Sequence, residues 1–322
     1  MQRMVQGNDL TIIVVNYNTG HLLEEVIGSV HQASKALSVQ TIVVDNASND
    51  GSVELIRRRF GDCQLVVNPC NLGFGRANNR VLDLAQGRYV LLLNSDAFVS
   101  PDTLDKTVSY MDEHPRCGIL GVKLIGRDGM LQPSARYFPT PWNLFLARSG
   151  LCKLFTHARM VDDITWDHAS VRQCDWVPGC YYLVRKELIH QVGLFDPRYF
   201  LYYEEVDHCL AAKRAGWEVV FYPHTTVIHV GGESAKSEGE ITQSGRQLEA
   251  LQVESELLYF RKNHGVAGVW MNVLLTTLAD AIIVLKRLLK RRSPVGFGVY
   301  AKHCALVWSL LSRTRWGMRP TR

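Results

Sequence analysis

Leu10-Thr11-Ile12-Ile13-Val14-Val15 is an apolar, β-branched run that stops on the polar triplet Asn16-Tyr17-Asn18. A run of that length reads as a buried strand whose carboxyl end is marked by the triplet. The same pattern recurs outward from it. Gln40–Val44 leads into Asp45-Asn46-Ala47-Ser48, Gln64–Val67 into Asn68 to Asn71, and Tyr89–Leu93 into Asn94-Ser95-Asp96. Between the runs the apolar spacing changes to a helical period. Leu22, Leu23, Val26, Val30, Ala33 and Leu37 share one face over His21–Leu37, and further helices are expected over Asn49–Phe60 and Gly75–Ala85. This alternation predicts an α/β fold, a Rossmann-like and mostly parallel central sheet flanked by helices, because parallel strands need crossover connections. Ligands of such sheets bind beyond the carboxyl ends of the strands. The four polar groups therefore mark the expected site.

Downstream, Gly118–Val122, Trp176–Val184 and Glu218–Tyr222 read as strands, Arg127-Asp128-Gly129 as a hairpin turn and Glu204–Ala215 as a helix. Residues 139–172 show no clean period and read as an insertion that shapes the site.

At 322 residues and 47% hydrophobic content the chain can bury one large domain and an appendage. Its formal charge is +5, unevenly placed: Ala281–Arg322 holds ten Lys and Arg and no acid, so the preceding residues carry −5. An acidic body with a basic, apolar tail excludes a uniformly basic nucleic-acid binder and suits a membrane-facing tail. Eight cysteines without a CxxC pair argue against a zinc cluster or a disulfide framework. With a polar Met1–Asp9 and no signal-like segment, they point to a reducing, cytoplasmic compartment.

Chemistry concentrates in a few places. Asp96 ends an apolar strand and is placed either to hold Mg²⁺ or Mn²⁺ against phosphate oxygens or to cap the turn before Pro101. Asp45 can accept from a base imide or a ribose hydroxyl, while Ser48 to Gly51 read as a helix cap. Asn71, Gly73 and Gly75 allow close backbone approach to a ligand, with Arg76 beside a pyrophosphate or simply solvated. A dinucleotide loop is disfavoured there, because Asn78 replaces the third glycine and the segment follows the third strand. Glu204, Glu205 and Asp207 suit a helix N-terminus, and their mutual repulsion can raise one of them toward a general base. His229, before Gly231-Gly232, reads as a metal ligand or as a structural histidine.

As a set, these residues resemble the family 2 inverting glycosyltransferases of the GT-A fold, in their bacterial rhamnosyltransferase-like branch. The matching pieces are Ile13–Asn18, Val43–Ser48, Asn71–Gly75, Leu93–Asp96, Val177-Pro178-Gly179-Cys180, Phe195-Asp196, Glu204–Asp207 and His229–Ser234. The resemblance implies a Mn²⁺ or Mg²⁺ ion on Asp96 and His229. It implies donor contacts from Asn16, Tyr17, Asn18, Asp45, Asn71, Gly73, Arg76, Asn94, Ser95 and Asp96, and an acceptor side at Gly179 and Trp217. The family's Asp-x-Asp site falls on Asn94-Ser95-Asp96, which offers one carboxylate. Its Glu-Asp pair falls on Glu204-Glu205, making Glu205 the expected base, with Glu204 and Asp207 as alternatives. The implied reaction moves a sugar, rhamnose from a dTDP donor first and other dTDP or UDP hexoses next, to a glycan or polyprenol-linked acceptor in bacterial cell-surface polysaccharide assembly. A nucleotidyltransferase would want a cation in Asn16–Gly20, which holds none. A non-catalytic sugar-binding or membrane scaffold is the other alternative.

The tail completes the expected division: residues 1–240 a catalytic domain, 241–265 a connecting amphipathic helix, and 266–322 a helical, membrane-associating tail. Gly265–Leu285 carries a single charge, Asp280, on a stripe with Asn272, Thr276, Arg287 and Arg291. An interfacial helix would keep that stripe in water, and the five cations of Lys286–Arg292 would face anionic lipid at the inner face of the plasma membrane. A spanning hairpin and a soluble packing tail are the alternatives.

Overall fold

The structure, a computed structural model, describes residues 8–163, 166–231, 245–289 and 297–322. Gly232-Glu233-Ser234 of the histidine motif and the cations Lys290-Arg291-Arg292 lie outside these residues. Contacts divide the chain into two compact units, Met1–Arg136 with Ile164–Pro197 and Glu204–Ser244, and Tyr137–Asp163 with Arg198–Tyr203 and Gly245–Arg322.

In the first unit the chain runs β1 (Leu10–Asn16), α1 (Gly20–Ala33), β2 (Val39–Asp45), α2 (Ser52–Arg59), β3 (Gln64–Val67), α3 (Phe74–Asn79) and β4 (Tyr89–Asn94). It continues through β5 (Ala97–Val99), α4 (Thr103–Glu113), β6 (Cys117–Ile125) and β7 (Leu131–Gln132). After α5 (Pro141–Ser149), which belongs to the second unit, come β8 (Arg172–Gln173), β9 (Tyr181–Arg185), α6 (Lys186–Val192), α7 (Glu204–Arg214) and β10 (Glu218–His229). The strands form one sheet in the order β3-β2-β1-β4-β9-β6-β10-β5, with β7 on β6 and β8 on β10.

The four N-terminal strands pair in parallel, as their alternation with helices dictates. β9 then enters antiparallel between β4 and β6, so the sheet as a whole is mixed. Burial on both faces explains the unbroken apolar runs. One face packs Leu10, Ile12, Val14, Leu91 and Leu93 against Val26 and Val30 of α1 and Leu104 and Val108 of α4. The same face continues outward to β2, where Val43, the register partner of Val14, packs against Leu23 and Ile27 of α1 and Ile56 of α2. Register then aligns the polar ends: Asn16 lies opposite Asp45, and Val15 opposite Asn94. At the far side β10 runs antiparallel to β5 with His229 opposite Ala97, which sets His229 beside Asp96.

The structure departs from sequence reading in identifiable places. α3 stops at Asn79 instead of reaching Ala85, because Asn78 bonds back to the Phe74 carbonyl (3.0 Å) and Asn79 turns outward to that of Phe195 (2.6 Å). α1 ends before Leu37, where Ser34 Oγ takes the Val30 carbonyl at 2.6 Å. The segment read as a site-shaping insertion contains α5, started by Pro141 and a Thr140–Asn143 capping box. Its residues 137–163 fall in the second unit.

That unit is completed by α8 (Gly245–Leu289) and α9 (Phe297–Arg313). The expected connecting helix and tail therefore fall together. α8 is broken at Gly265, whose φ of +69° suits a residue without Cβ. Phe145 and Leu146 of α5 pack on Leu275, Ala279 and Ile282 of its second arm. The polar stripe expected in water is turned inward: Asn272 and Asp280 are each 3% exposed. Arg148 Nε and His303 Nδ1 bond the Asp280 carboxylate at 2.6 and 2.7 Å, and Asn272 donates to Glu256 at 2.6 Å. These groups, Asp280 apart, line a polar cavity of about 190 Å³. Outward, the same arm presents Met271, Leu274, Leu278, Leu285 and Leu288, each about half exposed. By length and composition α8 is the one helix among the described residues apolar enough to cross a membrane.

Candidate active site

The β1–α1 turn is built by its own polar side chains. Asn16 is fully buried and donates to Asp45 Oδ2 (2.8 Å) and Ser48 Oγ (3.0 Å). The Thr19 hydroxyl donates to Asn16 Oδ1 at 2.6 Å, so the 2.7 Å contact with Ser95 is donated by Ser95, since a hydroxyl has one proton. Asn18 takes a left-handed conformation (φ +52°) in which its amide donates to Ser48 Oγ and its side chain accepts from Asn49. Tyr17 lies between them, partly exposed. Asn16, Asn18, Asp45 and Ser95 thus form one network. Both Asp45 oxygens are engaged by protein, Oδ1 accepting the Ser48 amide at 2.9 Å, so Asp45 first of all shapes the loop.

The next loop is tied to it by Asn46, which donates to the Gly73 carbonyl (3.1 Å) and accepts from Asn68 (2.8 Å). Gly73, at φ +81°, receives its bend from the Asn71 side chain accepting its amide at 2.9 Å. Arg76 is directed to the Pro197 carbonyl, 2.7 Å from Nε, which fixes the chain before α7. Asn94 closes β4 by donating its amide to the Cys180 carbonyl (3.1 Å).

Asp96 and His229 are brought together. Asp96 Oδ2 accepts the Gly231 amide at 3.1 Å, and Oδ1 lies 3.5 Å from His229 Nε2. Gln132 settles the tautomer. Its side-chain amide donates to the His229 carbonyl at 2.9 Å, which leaves Oε1 facing His229 Nδ1 at 2.8 Å. Nδ1 must therefore carry the proton, and Nε2 offers a lone pair. Burial lowers the imidazole pKa against the opposing charge of Asp96, with Arg136 lowering it further, so the neutral ring is favoured. A bare nitrogen facing a carboxylate, braced from behind by an amide, is how metal-binding histidines are held.

Glu205 stands at the start of α7, its carboxyl accepting the Gly179 amide just before β9. Burial raises its carboxyl pKa, and its own amide, the Arg136 charge and the Gly179 and Val206 amides hold part of that rise back. Oε2 is shielded from solvent and has no hydrogen-bond partner among the described residues. Glu204 and Asp207 are more deeply buried, and Glu204 packs its Cβ toward Gly75 and Phe195. α7 is preceded by Tyr202 and Tyr203, both left-handed at φ +70° and +69°, at a cost of roughly 1–2 kcal/mol each. Gly179 does belong to this side, with the Phe74 ring close to its Cα.

Trp217 does not. It sits at the opposite end of β10, donates to Gln191 at 2.7 Å and packs on Gly118, a strand length from His229. Its bulk fills the far edge of the sheet, and the acceptor-side expectation is corrected accordingly. The cluster His31, Asp62 and Cys63 is also remote, since α1 ends and β3 begins at the edge away from the carboxyl ends. Burial and the neighbouring Asp62 push the Cys63 thiol up to about 12.

Two site residues escaped sequence reading, Gln132 and Arg136. The signal was the Arg127-Asp128-Gly129 turn. It returns the chain antiparallel along β6 (Gln132 opposite Leu124), at the ligand-binding edge.

Comparison with known proteins follows this geometry. The Glycosyl transferase family 2 profile matches residues 11–159, and that of Glycosyl transferase family group 2 matches residues 89–311. N-acetylglucosaminyl-diphospho-decaprenol L-rhamnosyltransferase of Mycobacterium tuberculosis is 29% identical over 304 residues, 88% of this chain and 94% of that one. Among solved structures, mannosyltransferase PcManGT from Pyrobaculum calidifontis, in complex with GDP-Man and Mn²⁺, superposes with a TM-score of 0.56 at 17% identity, over 97% of this chain and 88% of that one. GalNAc-T7 with UDP, GalNAc and Mn²⁺ gives a TM-score of 0.56 at 14% identity, over 97% and 59%. Both likenesses concern the fold.

Proposed function

This chain belongs to the family 2 glycosyltransferases, and from that premise we propose that it transfers rhamnose from dTDP-rhamnose, with inversion, to a polyprenol-linked glycan. The observation that carries the reading is the layout of one sheet edge. In this reading the Asp96–His229 pair marks its leaving-group side, and the raised carboxyl of Glu205 its acceptor side. The M. tuberculosis relative supports the sugar and the lipid-linked acceptor, since its name states both and its likeness runs nearly end to end.

The donor nucleotide lies against the loop built by Asn16, Asn18 and Asp45, with Asn71 and Gly73 lending backbone approach. Mn²⁺ or Mg²⁺ would be held by Asp96 and His229, because Nε2 and Oδ1 are both lone-pair donors held at adjacent positions. Bound there, the ion supplies positive charge to the diphosphate. Glu205 accepts the proton of the acceptor hydroxyl as that oxygen attacks the anomeric carbon. One base and one displacement invert the configuration. The exposed apolar face of α8, beside Lys286 and Arg287, supports docking on the inner face of the plasma membrane, where a polyprenol acceptor resides.

The test is a donor panel of dTDP-rhamnose, UDP-glucose and UDP-N-acetylglucosamine with a polyprenol-diphosphate N-acetylglucosamine acceptor, with Mn²⁺ or with chelator. The expected result is metal-dependent rhamnosyl transfer with inverted configuration by NMR. Transfer with retention, or from the UDP sugars in preference, overturns it.

A further inference from the structure

We propose that His31, Asp62 and Cys63 form a zinc site at the β3 edge of the sheet, separate from the Asp96–His229 pair and unsuited to Mn²⁺ or Mg²⁺.

The donors come from two segments that the fold brings together, which is why no cysteine spacing announces them. His31 stands in the last turn of α1. Asp62 and Cys63 lie in the turn between α2 and β3, the edge strand. Phe60 serves both segments. Its carbonyl accepts the Cys63 amide at 3.0 Å and closes the turn, while its ring stands edge-on to the His31 imidazole, 6.3 Å between centroids. His31 Nε2 and Asp62 Oδ2 are 2.9 Å apart, and one donor atom from each of the three residues falls within 4.8 Å of the other two. Among the described residues, three such groups converge nowhere else. Donors on a tetrahedral zinc stand roughly 3–4 Å apart, so small rotations of the exposed His31 and Asp62 side chains complete the set.

The donor types select the ion. A thiolate, an imidazole and one carboxylate oxygen suit zinc, whereas Mn²⁺ and Mg²⁺ prefer oxygen throughout. Cys63 is buried, with Leu23, Ile27, Val43 and Ile56 behind it. That setting opposes a bare thiolate, and a dication resolves the conflict, because two negative ligands and Zn²⁺ balance to neutrality. On binding, the Cys63 S–H bond breaks and its proton passes to solvent, while the sulfur lone pair forms the bond to zinc. His31 gives its Nε2 lone pair and keeps its proton on Nδ1, and water takes the fourth position. The carbonyl end of α1, which carries partial negative charge, adds to the attraction. Zinc held there ties the end of α1 to the entry of the edge strand.

Full-length protein without an affinity tag, stripped by chelator and kept reduced with a phosphine, is titrated with Co²⁺ alone and then with Zn²⁺ or Mn²⁺. Wild type is expected to show a thiolate-to-cobalt charge-transfer band that Zn²⁺ erases and Mn²⁺ does not. Cys63→Ser is expected to lose the band, and Asp96→Ala, which removes the proposed manganese ligand, to keep it. His31→Gln and Asp62→Asn, both at exposed positions, are each expected to weaken Zn²⁺ at least about tenfold. Wild type without the band overturns the proposal, as does a band that survives Cys63→Ser or is lost in Asp96→Ala. Unchanged Zn²⁺ affinity in either His31→Gln or Asp62→Asn overturns the three-ligand assignment.

Discussion

His229 Nε2 faces Asp96 Oδ1 across 3.5 Å, too far for a hydrogen bond, so two lone-pair donors are held side by side. The separation is maintained from both sides. Gly231 and the β5–β10 register hold the carboxylate, and Gln132 holds the ring.

Gln132→Leu keeps both proposed metal ligands, Asp96 and His229, and removes the brace. Mn²⁺ affinity, read by calorimetry, is expected to fall about 10–100-fold with the melting temperature nearly unchanged. An unaltered affinity means the ring is positioned by something else.

Glu205→Gln removes the proposed base and preserves the volume. Turnover is expected to drop by about 10²–10⁴-fold with dTDP affinity intact. The pH dependence has a definite sign. Burial raises the carboxyl pKa, so the carboxylate, and with it the rate, appears as pH climbs through a value above the usual one. Arg136 lowers that pKa, so in Arg136→Met the rising limb moves to still higher pH.

Asp280→Ala strands Arg148 and His303 in the second unit. A loss of about 3–5 kcal/mol is expected, since breaking a buried ion pair leaves its partners uncompensated. In the wild type, burial pushes the Asp280 pKa up, but the hydrogen bonds from His303 and Arg148 outweigh it and hold it low. Its stabilisation is therefore present above the unfolded carboxyl pKa and lost as pH falls through the folded one. Glu256 works oppositely: burial raises it, so its contribution is lost as pH rises through the folded value. Thermal melts of wild type and Asp280→Asn from neutral to acid pH read the difference. Parallel curves contradict the assignment.

Replacing Leu274, Leu278 and Leu285 together by Glu is expected to abolish flotation with anionic vesicles while the melting temperature holds, because these side chains are about half exposed. Deleting the tail from residue 266 is a poorer test, since Leu275, Ala279 and Ile282 pack on Phe145 and Leu146.

What could be read in advance was set by local pattern. β1 to β4 show in their apolar runs, and the polar residues at their ends fall where the register aligns them. Asp96 is visible as a carboxylate delivered by a strand. Its pairing with His229 depends on β10 closing against β5 across more than a hundred residues, which no spacing encodes and the family resemblance supplied. Gln132 and Arg136 follow a turn whose hairpin is too short to show a period. Trp217 carried the wrong expectation because it follows an acidic helix in sequence while β10 carries the chain across the sheet between it and the site. The stripe on α8 was seen correctly as a stripe. Its direction was not legible, because an amphipathic pattern gives two faces without naming which one meets solvent.

That orientation separates two engineering problems. The interior polar groups around Asp280 specify how the helices assemble, and the outer leucines specify what surface the assembly tolerates. The outer face alone can therefore be rewritten with polar side chains, keeping Arg148, Asn272, Asp280 and His303 untouched as the internal template.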